Sequence, residues 1–244
     1  MQTLTPHSAA NSTYHAMQLT ANKRMSHGLT VLASYTWAKS IDNASGDSAA
    51  ATNPYNFSFD KGLSVQDIPH RFVVSAIWRM PALRNQPRLV REVLGGWTIN
   101  GIGNVQSGTP FNITSGKDNS GTAINSDRAD VVGDWYVDNS SRPKSVWLNQ
   151  YFNTAAFVVN KTGTFGNIGR NVLIGPSRQN LDMGLLKDFP LIESIRMQFR
   201  GEAFNIMNHA NFGNPNGNVS AANYGRITTA TTPRILQLAL KVIF

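Results

Sequence analysis

Four aspartates, Asp127, Asp130, Asp134 and Asp138, crowd one polar stretch, and carboxylates at that density can build a calcium site. Their spacing lacks the ligand pattern and central glycine of an EF-hand loop. A solvated loop is therefore the better expectation, and a weak calcium site the lesser one. The five histidines are dispersed. His70 opens a strand-like run and His209 follows one, so each reads as a structural or loop residue rather than a ligand. Gly116-Lys-Asp-Asn-Ser-Gly121 resembles a phosphate loop only superficially, because the required spacing and a following helix are missing. G-x-S-x-G, H-E-x-x-H, Walker A and G-x-G-x-x-G motifs do not occur in the chain. A hydrolase would need a serine, a histidine and an acid brought together, and nothing in the spacing joins them. The expectation is a protein that is not an enzyme, with no cofactor and no resident metal. Zero cysteine excludes a disulfide scaffold, a Cys-ligated zinc and a thiol nucleophile.

The more telling chemistry is a row. Arg196, Gln198, Arg200 and Glu202 occupy every second position, while Ile195, Met197, Phe199 and Ala203 occupy the positions between. Four charged or amide groups on one strand face suit a wet lumen. They suit a dry core badly, because unpaired buried charge is costly.

That row belongs to a set of alternating segments, each about ten residues long, which is the signature of strands with one face to lipid and one to a polar interior. Seven such strands are expected. They lie at His15 to Lys23, Leu29 to Trp37, His70 to Met80, Trp97 to Val105, Asn180 to Lys187, Arg196 to Glu202 and Arg234 to Phe244. In the last, Leu236, Leu238, Leu240, Val242 and Phe244 oppose Ile235, Gln237, Ala239, Lys241 and Ile243. In the third, Phe72, Val74, Ala76, Trp78 and Met80 oppose Arg71, Val73, Ser75, Ile77 and Arg79. In the fourth, Trp97, Ile99 and Val105 oppose Thr98, Asn100, Asn104 and Gln106. Trp37, Trp78 and Trp97 fall at strand ends on the apolar side, as an interfacial aromatic girdle requires. Helical periodicity is scarce, and its best candidate is the short Pro87 to Leu94.

Connection lengths alternate as well. Met25 to Gly28 and the turn around Ile192-Glu193 are short, Pro81 to Gly96 is intermediate, and the other three are long. Outer-membrane barrels have short periplasmic turns and long outer loops. The long stretches, such as Ser40 to Asp60 and Asn211 to Asn223, exceed ordinary loops of a compact soluble domain.

Composition agrees. Charged residues are 15% of 244, the mean hydropathy is -0.24, and 25 asparagines and 20 glycines fill the gap. The net charge of +8 invites a nucleic-acid reading. The basic residues are scattered and no finger, basic-region heptad or RNP-like motif accompanies them, so no nucleic-acid partner is expected. No apolar run approaches a membrane-spanning helix. The opening Met1-Gln-Thr-Leu-Thr-Pro6 has no basic or apolar region of a signal peptide, and none is expected within this chain.

Several stretches together carry a family likeness. They are Tyr35-Thr-Trp-Ala-Lys-Ser-Ile-Asp42, Asp67-Ile-Pro-His-Arg-Phe-Val73, Gly96-Trp97 leading to Gln106-Ser-Gly-Thr-Pro-Phe111, Gly166 to Pro176, Arg200-Gly-Glu-Ala-Phe-Asn-Ile-Met-Asn-His209 and the closing Arg234 to Phe244. In this order, from about Asn11 to the end, the chain resembles the C-terminal part of an Oar-like TonB-dependent receptor of the type that carries a carboxypeptidase-regulatory-like domain. The resemblance implies an all-β, antiparallel transmembrane barrel of 22 strands in the outer membrane of a Gram-negative-type bacterium. It implies uptake of a substrate driven by TonB past an N-terminal plug. Residues 1–244 would be about seven of those strands, open as an isolated chain. On this resemblance the plug, the TonB box, the regulatory-like domain and the earlier strands would be absent from it.

On this resemblance the partners are outer-membrane lipid, the missing barrel and plug segments, the barrel assembly machinery, and TonB only through the missing part. Arg71, Arg79, Asn100, Asn104, Arg196, Gln198, Arg200, Glu202 and Lys241 would face the lumen and plug. Leu236, Leu238, Leu240, Val242 and Phe244 would form the barrel-assembly signal. The competing expectation is a soluble or surface β-sandwich module for adhesion or carbohydrate binding, suggested by low charge and Asn-rich loops.

Overall fold

The computed structural model describes residues 10–45, 51–123, 127–192 and 195–244. The opening Met1 to Pro6 stretch and Glu193 of the expected short turn lie outside them. In chain order the strands and helices are β1 (Ser12–Ser26), β2 (Leu29–Asp42), β3 (Gly62–Leu63), β4 (His70–Arg79), α1 (Arg88–Leu94), β5 (Thr98–Gln106), β6 (Pro110–Phe111), β7 (Asp130–Val131), α2 (Lys144–Asn149), β8 (Phe157–Val158), β9 (Leu173–Ile174), β10 (Arg178–Ile192), β11 (Ile195–Phe204) and β12 (Ile235–Ile243).

One antiparallel sheet runs β1-β2-β4-β5-β10-β11-β12, with β3 added to β2. Its seven long strands coincide with the seven expected segments. Four of them are longer than expected: β1 and β10 each reach 15 residues, β2 reaches 14 and β11 reaches 10. Neighbours in the sheet are neighbours in sequence order, as hairpin connections dictate. The β1–β2 turn shows why the chain reverses there. His27 and Gly28 both have positive φ, 51° and 79°, the pair that a two-residue type I′ turn requires. A Cβ on Gly28 would stand 2.3 Å from the Arg79 carbonyl oxygen, so the closeness of β4 demands glycine as well.

The register joins the alternating faces into two continuous surfaces. Leu19, Tyr35, Phe72 and Val105 are paired in series across β1, β2, β4 and β5. Leu29, Trp78, Ile99, Leu185, Gly201 and Leu238 are paired in series from β2 to β12. Because side chains alternate, one slipped residue would turn a strand's apolar set to the other side. The register is continuous across all seven strands, and single residues such as Lys187 on the apolar side and Ile77 and Ile102 on the polar side depart from the pattern. Among the described residues no second sheet covers the apolar surface: Leu236, Leu238 and Leu240 are 68%, 75% and 67% exposed. That exposure does not fit the sandwich, whose inner faces must pack on each other. At the sheet's two ends, β1 and β12 each have one unpaired edge among the described residues.

The buried hydrophobic cluster lies elsewhere. Phe111, Ile113, Ala129, Phe152, Ala156, Phe157, Ile168 and Leu173 pack together, and all come from the connection between β5 and β10. Tyr224 and Val219, from the β11–β12 connection, pack against them. The long connections thus form a packed cap with its own β6–β9 and β7–β8 pairs and the helix α2, none of which the sequence pattern announced.

The asparagines explain how so much irregular chain can be packed. Buried backbone without sheet or helix needs partners, and an amide side chain supplies both donor and acceptor. The side-chain Oδ1 of Asn112 accepts from Asn171 N at 2.7 Å, and Asn171 Nδ2 donates to Leu63 O at 2.6 Å. Asn211 accepts from Gln179 N and donates to Gln179 O, at 2.7 and 2.8 Å.

Candidate functional site

The surface opposite the apolar one is the candidate site. The register places Arg71, Arg79, Asn100, Asn104, Arg196, Gln198, Arg200, Glu202 and Lys241 all on it. Arg79 pairs with Thr98, which pairs with Leu186, then Arg200, then Ala239. Gln198 lies between Asp188 and Lys241.

The same registers add Arg178, Asp182 and Asp188 to the polar surface. The sequence pattern alone does not mark these, because Asn180 to Lys187 alternates weakly. Their place becomes visible only once β10 is aligned with β5 and β11.

The carboxylates of this surface are already engaged. Glu202 Oε1 accepts from Arg200 Nε and Nη2 at 2.8 and 2.6 Å. Asp188 accepts from Gln198 Nε2 at 2.9 Å. Asp182 accepts from Asn180 Nδ2 at 2.8 Å and from Asn205 N at 2.7 Å. Arg71, Arg79, Arg178, Arg196 and Lys241 have no such partner among the described residues. The surface therefore presents cations in excess, on a strand wall, toward whatever lies inside it. Fixed cations in a concave, low-dielectric setting concentrate anionic groups. Leu32, Ile77, Ile102 and Phe204 interrupt the polarity and line a shallow hollow with Asp182 and Glu202.

On the opposite surface, Trp37, Trp78 and Trp97 all project to the apolar side, but at two levels. Trp37 pairs with His70 at one end of β4, and Trp78 lies at the other. Eight residues at about 3.3 Å each span about 26 Å along the strand. Tilted by about 40°, that is roughly 20 Å along the normal, close to the about 25 Å apolar band of an outer-membrane barrel. Trp97 stands with Trp78 at the lower level and meets Phe199 edge-on at 5.9 Å.

Above the strands, buried ion pairs bind one long connection to another. Arg128 Nη1 donates to Asp60 Oδ1 at 3.0 Å, Nη2 donates to Phe59 O, and the guanidinium lies 4.1 Å from the Phe59 ring centre. Burial draws the Arg128 guanidinium below its ordinary proton affinity, and the Asp60 carboxylate opposes that. Arg170 Nη1 donates to Asp42 Oδ1 at 2.5 Å and also to the Asp42 and Asp60 carbonyls. Burial pushes the Tyr151 and Tyr224 hydroxyls up.

The stretches that carried the family likeness are the joints between strand and cap. Asp67 accepts from Ser40 N at 2.6 Å, Asn205 holds His209 through both its amide atoms, and Arg170 clamps the top of β2.

The four-aspartate stretch needs a correction. Asp127 is fully buried rather than solvated. Its carboxylate accepts from Asn119 N, Ser120 N, Ser120 Oγ and Asn160 Nδ2, so it closes a turn instead of facing water. Asp130, Asp134 and Asp138 accept from Asn167 N, Tyr136 N and Ser140 N at separate turns. Among the described residues no three histidines or carboxylates gather. His70 Nδ1 lies 2.8 Å from Tyr35 Oη and His209 Nδ1 lies 3.0 Å from Gln179 Nε2, as structural residues do.

The model of the outer membrane beta barrel domain family matches residues 2–237. No curated protein and no solved structure matches the chain. The family match covers nearly all of the sequence, and the two-faced antiparallel sheet is what such a wall requires. The chain belongs to the outer membrane β-barrel family, and its place is the outer membrane.

Proposed function

We propose that this chain is a wall sector and outer cap of an Oar-like TonB-dependent transport receptor, taking part in uptake of a substrate across the outer membrane. The observation that carries the reading is the cationic surface. Arg71, Arg79, Arg178, Arg196 and Lys241 have no ion-pair partner among the described residues and lie on the surface opposite the apolar one. Arginine's fork of donors suits carboxylates and backbone carbonyls. A plug within the lumen offers both, and plug contact is favoured over direct binding of substrate. The free edges of β1 and β12 need strand partners, because unsatisfied backbone in lipid costs several kcal/mol per group. Further strands of the same barrel meet that need.

In this reading the short connections are periplasmic and the cap faces outward. Trp37 belongs to the outer girdle, Trp78 and Trp97 to the inner one. Leu236, Leu238, Leu240, Val242 and Phe244 carry the assembly signal.

The test is photo-crosslinking in cells from Arg196, Arg200 and Lys241, each replaced by a photoreactive residue. The expected product is a crosslink to a plug segment whose yield changes when TonB is deleted. Crosslinks to lipid alone, or a pattern indifferent to TonB, would refute the receptor reading.

A further inference from the structure

The helix α1 is amphipathic in the wrong sense for a protein surface in water. Leu89, Val90, Val93 and Leu94 share one side, and Arg88, Arg91 and Glu92 share the other. The apolar side is turned outward: Leu89 is 79% exposed and Val93 59%, whereas the Arg91–Glu92 pair is half-buried. Two bonds hold the helix end against the apolar surface of the sheet. Lys187, almost fully buried although it occupies the apolar surface, donates from Nζ to Gly95 O at 2.6 Å. Trp97 Nε1 donates to Val93 O at 2.8 Å. The helix lies at the short-connection end of the sheet, beside the lower tryptophans.

We propose that α1 lies in the periplasmic leaflet of the outer membrane, with its apolar side in the acyl boundary and Arg84 and Arg88 on anionic phospholipid headgroups. The proposal rests on the barrel-wall reading. Its occupant follows from continuity: the helix extends the lipid-facing surface through Trp97 and Lys187 without a break. Charge complementarity points the same way. Arg84 and Arg88 are exposed and have no ion-pair partner among the described residues, and the nearby Glu92 is taken by Arg91. Interfacial helices combine such an apolar side with basic residues at headgroup level. Four large apolar side chains on a seven-residue helix would otherwise face water with nothing to cover them.

The chain has no cysteine, so single labels can be placed cleanly. Nitroxide labels at Leu89→Cys, Val93→Cys, Gln86→Cys and Leu238→Cys are read in the assembled protein, taken from outer membranes into vesicles of phosphatidylethanolamine with phosphatidylglycerol. Labels at 89 and 93 should collide with oxygen in preference to a water-soluble nickel complex, as the wall label at 238 does, and the label at 86 should show the reverse. Replacing phosphatidylglycerol by phosphatidylcholine, or introducing Arg84→Gln with Arg88→Gln, should lower that preference at 93 by about five-fold per arginine. Nickel access at 89 and 93 with the wall label still in lipid overturns the helix proposal alone. Nickel access at 238 as well overturns the wall reading beneath it. Protection from both reagents at 89 and 93 overturns the lipid occupant in favour of a protein one. Indifference to phosphatidylglycerol and to the arginine variants overturns the headgroup contact.

Discussion

Arg128 and Asp60 meet at 3.0 Å although 68 residues separate them, and their side chains are only 6% and 7% exposed. Each is fixed further, Arg128 by Phe59 O and Asp60 by Thr52 N. The pair fastens the β2–β4 connection to the cap built by the β5–β10 connection. Breaking a buried pair by removing one partner costs about 3–5 kcal/mol, because the other charge is left uncompensated. Asp60→Ala should therefore expose the two connections to protease while the strands stay protected. Arg128→Ala should do the same, and the double variant should cost less than the sum. A cleavage pattern identical to the unaltered protein would refute the clamp.

Asp127 organises its turn through backbone and side-chain donors, and Asp127→Ala strips two backbone N–H groups of their acceptor. At about 1–3 kcal/mol for each group left unsatisfied, the turn should open. Hydrogen exchange at Asn119 and Ser120 reports it. Because the carboxylate oxygens are occupied by protein donors, calorimetry with calcium on the folded protein should show no saturable heat. A saturable heat abolished by Asp127→Ala would contradict this.

Tyr224 gives a pH dependence. Its hydroxyl is buried, has no hydrogen-bond partner among the described residues, and is pushed up from the ordinary 10.0 by desolvation. A raised folded value makes the contribution to stability complete below the unfolded value and lost as pH rises through the folded one. The cap should loosen in strongly alkaline solution. Tyr224→Phe removes the ionising group, so the variant cap should stay closed to higher pH and be no weaker near neutrality. Limited proteolysis across the alkaline range measures both. A variant that opens at lower pH than the parent would contradict the argument.

Deletion of Phe244 tests the assembly role of β12. The expected result is a marked loss of outer-membrane insertion with the protein retained in the periplasm. Unchanged insertion, measured by fractionation of membranes, would show that Leu236, Leu238, Leu240 and Val242 suffice or that the signal lies elsewhere.

The wall was legible from the sequence because its period is two and its two faces differ in chemistry. The alternation of Leu236 to Phe244 and of Arg196 to Glu202 fixes a face without knowledge of any neighbour. β10 was less legible: Lys187 interrupts its apolar side, for a reason that requires Gly95 from a distant helix. The cap was not legible at all. Its order depends on pairs such as Arg128–Asp60 and Asn112–Asn171, which no local period records. Asp127 shows the same limit. Its composition announced solvent, whereas its donors, Asn119, Ser120 and Asn160, are assembled only by the fold.

The central claim is that one surface of this sheet meets lipid and the other meets water. The direct measurement is a single-cysteine scan of β12 in outer membranes, read with a water-soluble and a lipid-soluble quencher. The account predicts lipid quenching at 236, 238, 240 and 242, and aqueous quenching at 237, 239 and 241. Equal quenching at all seven positions, or the opposite alternation, would contradict it.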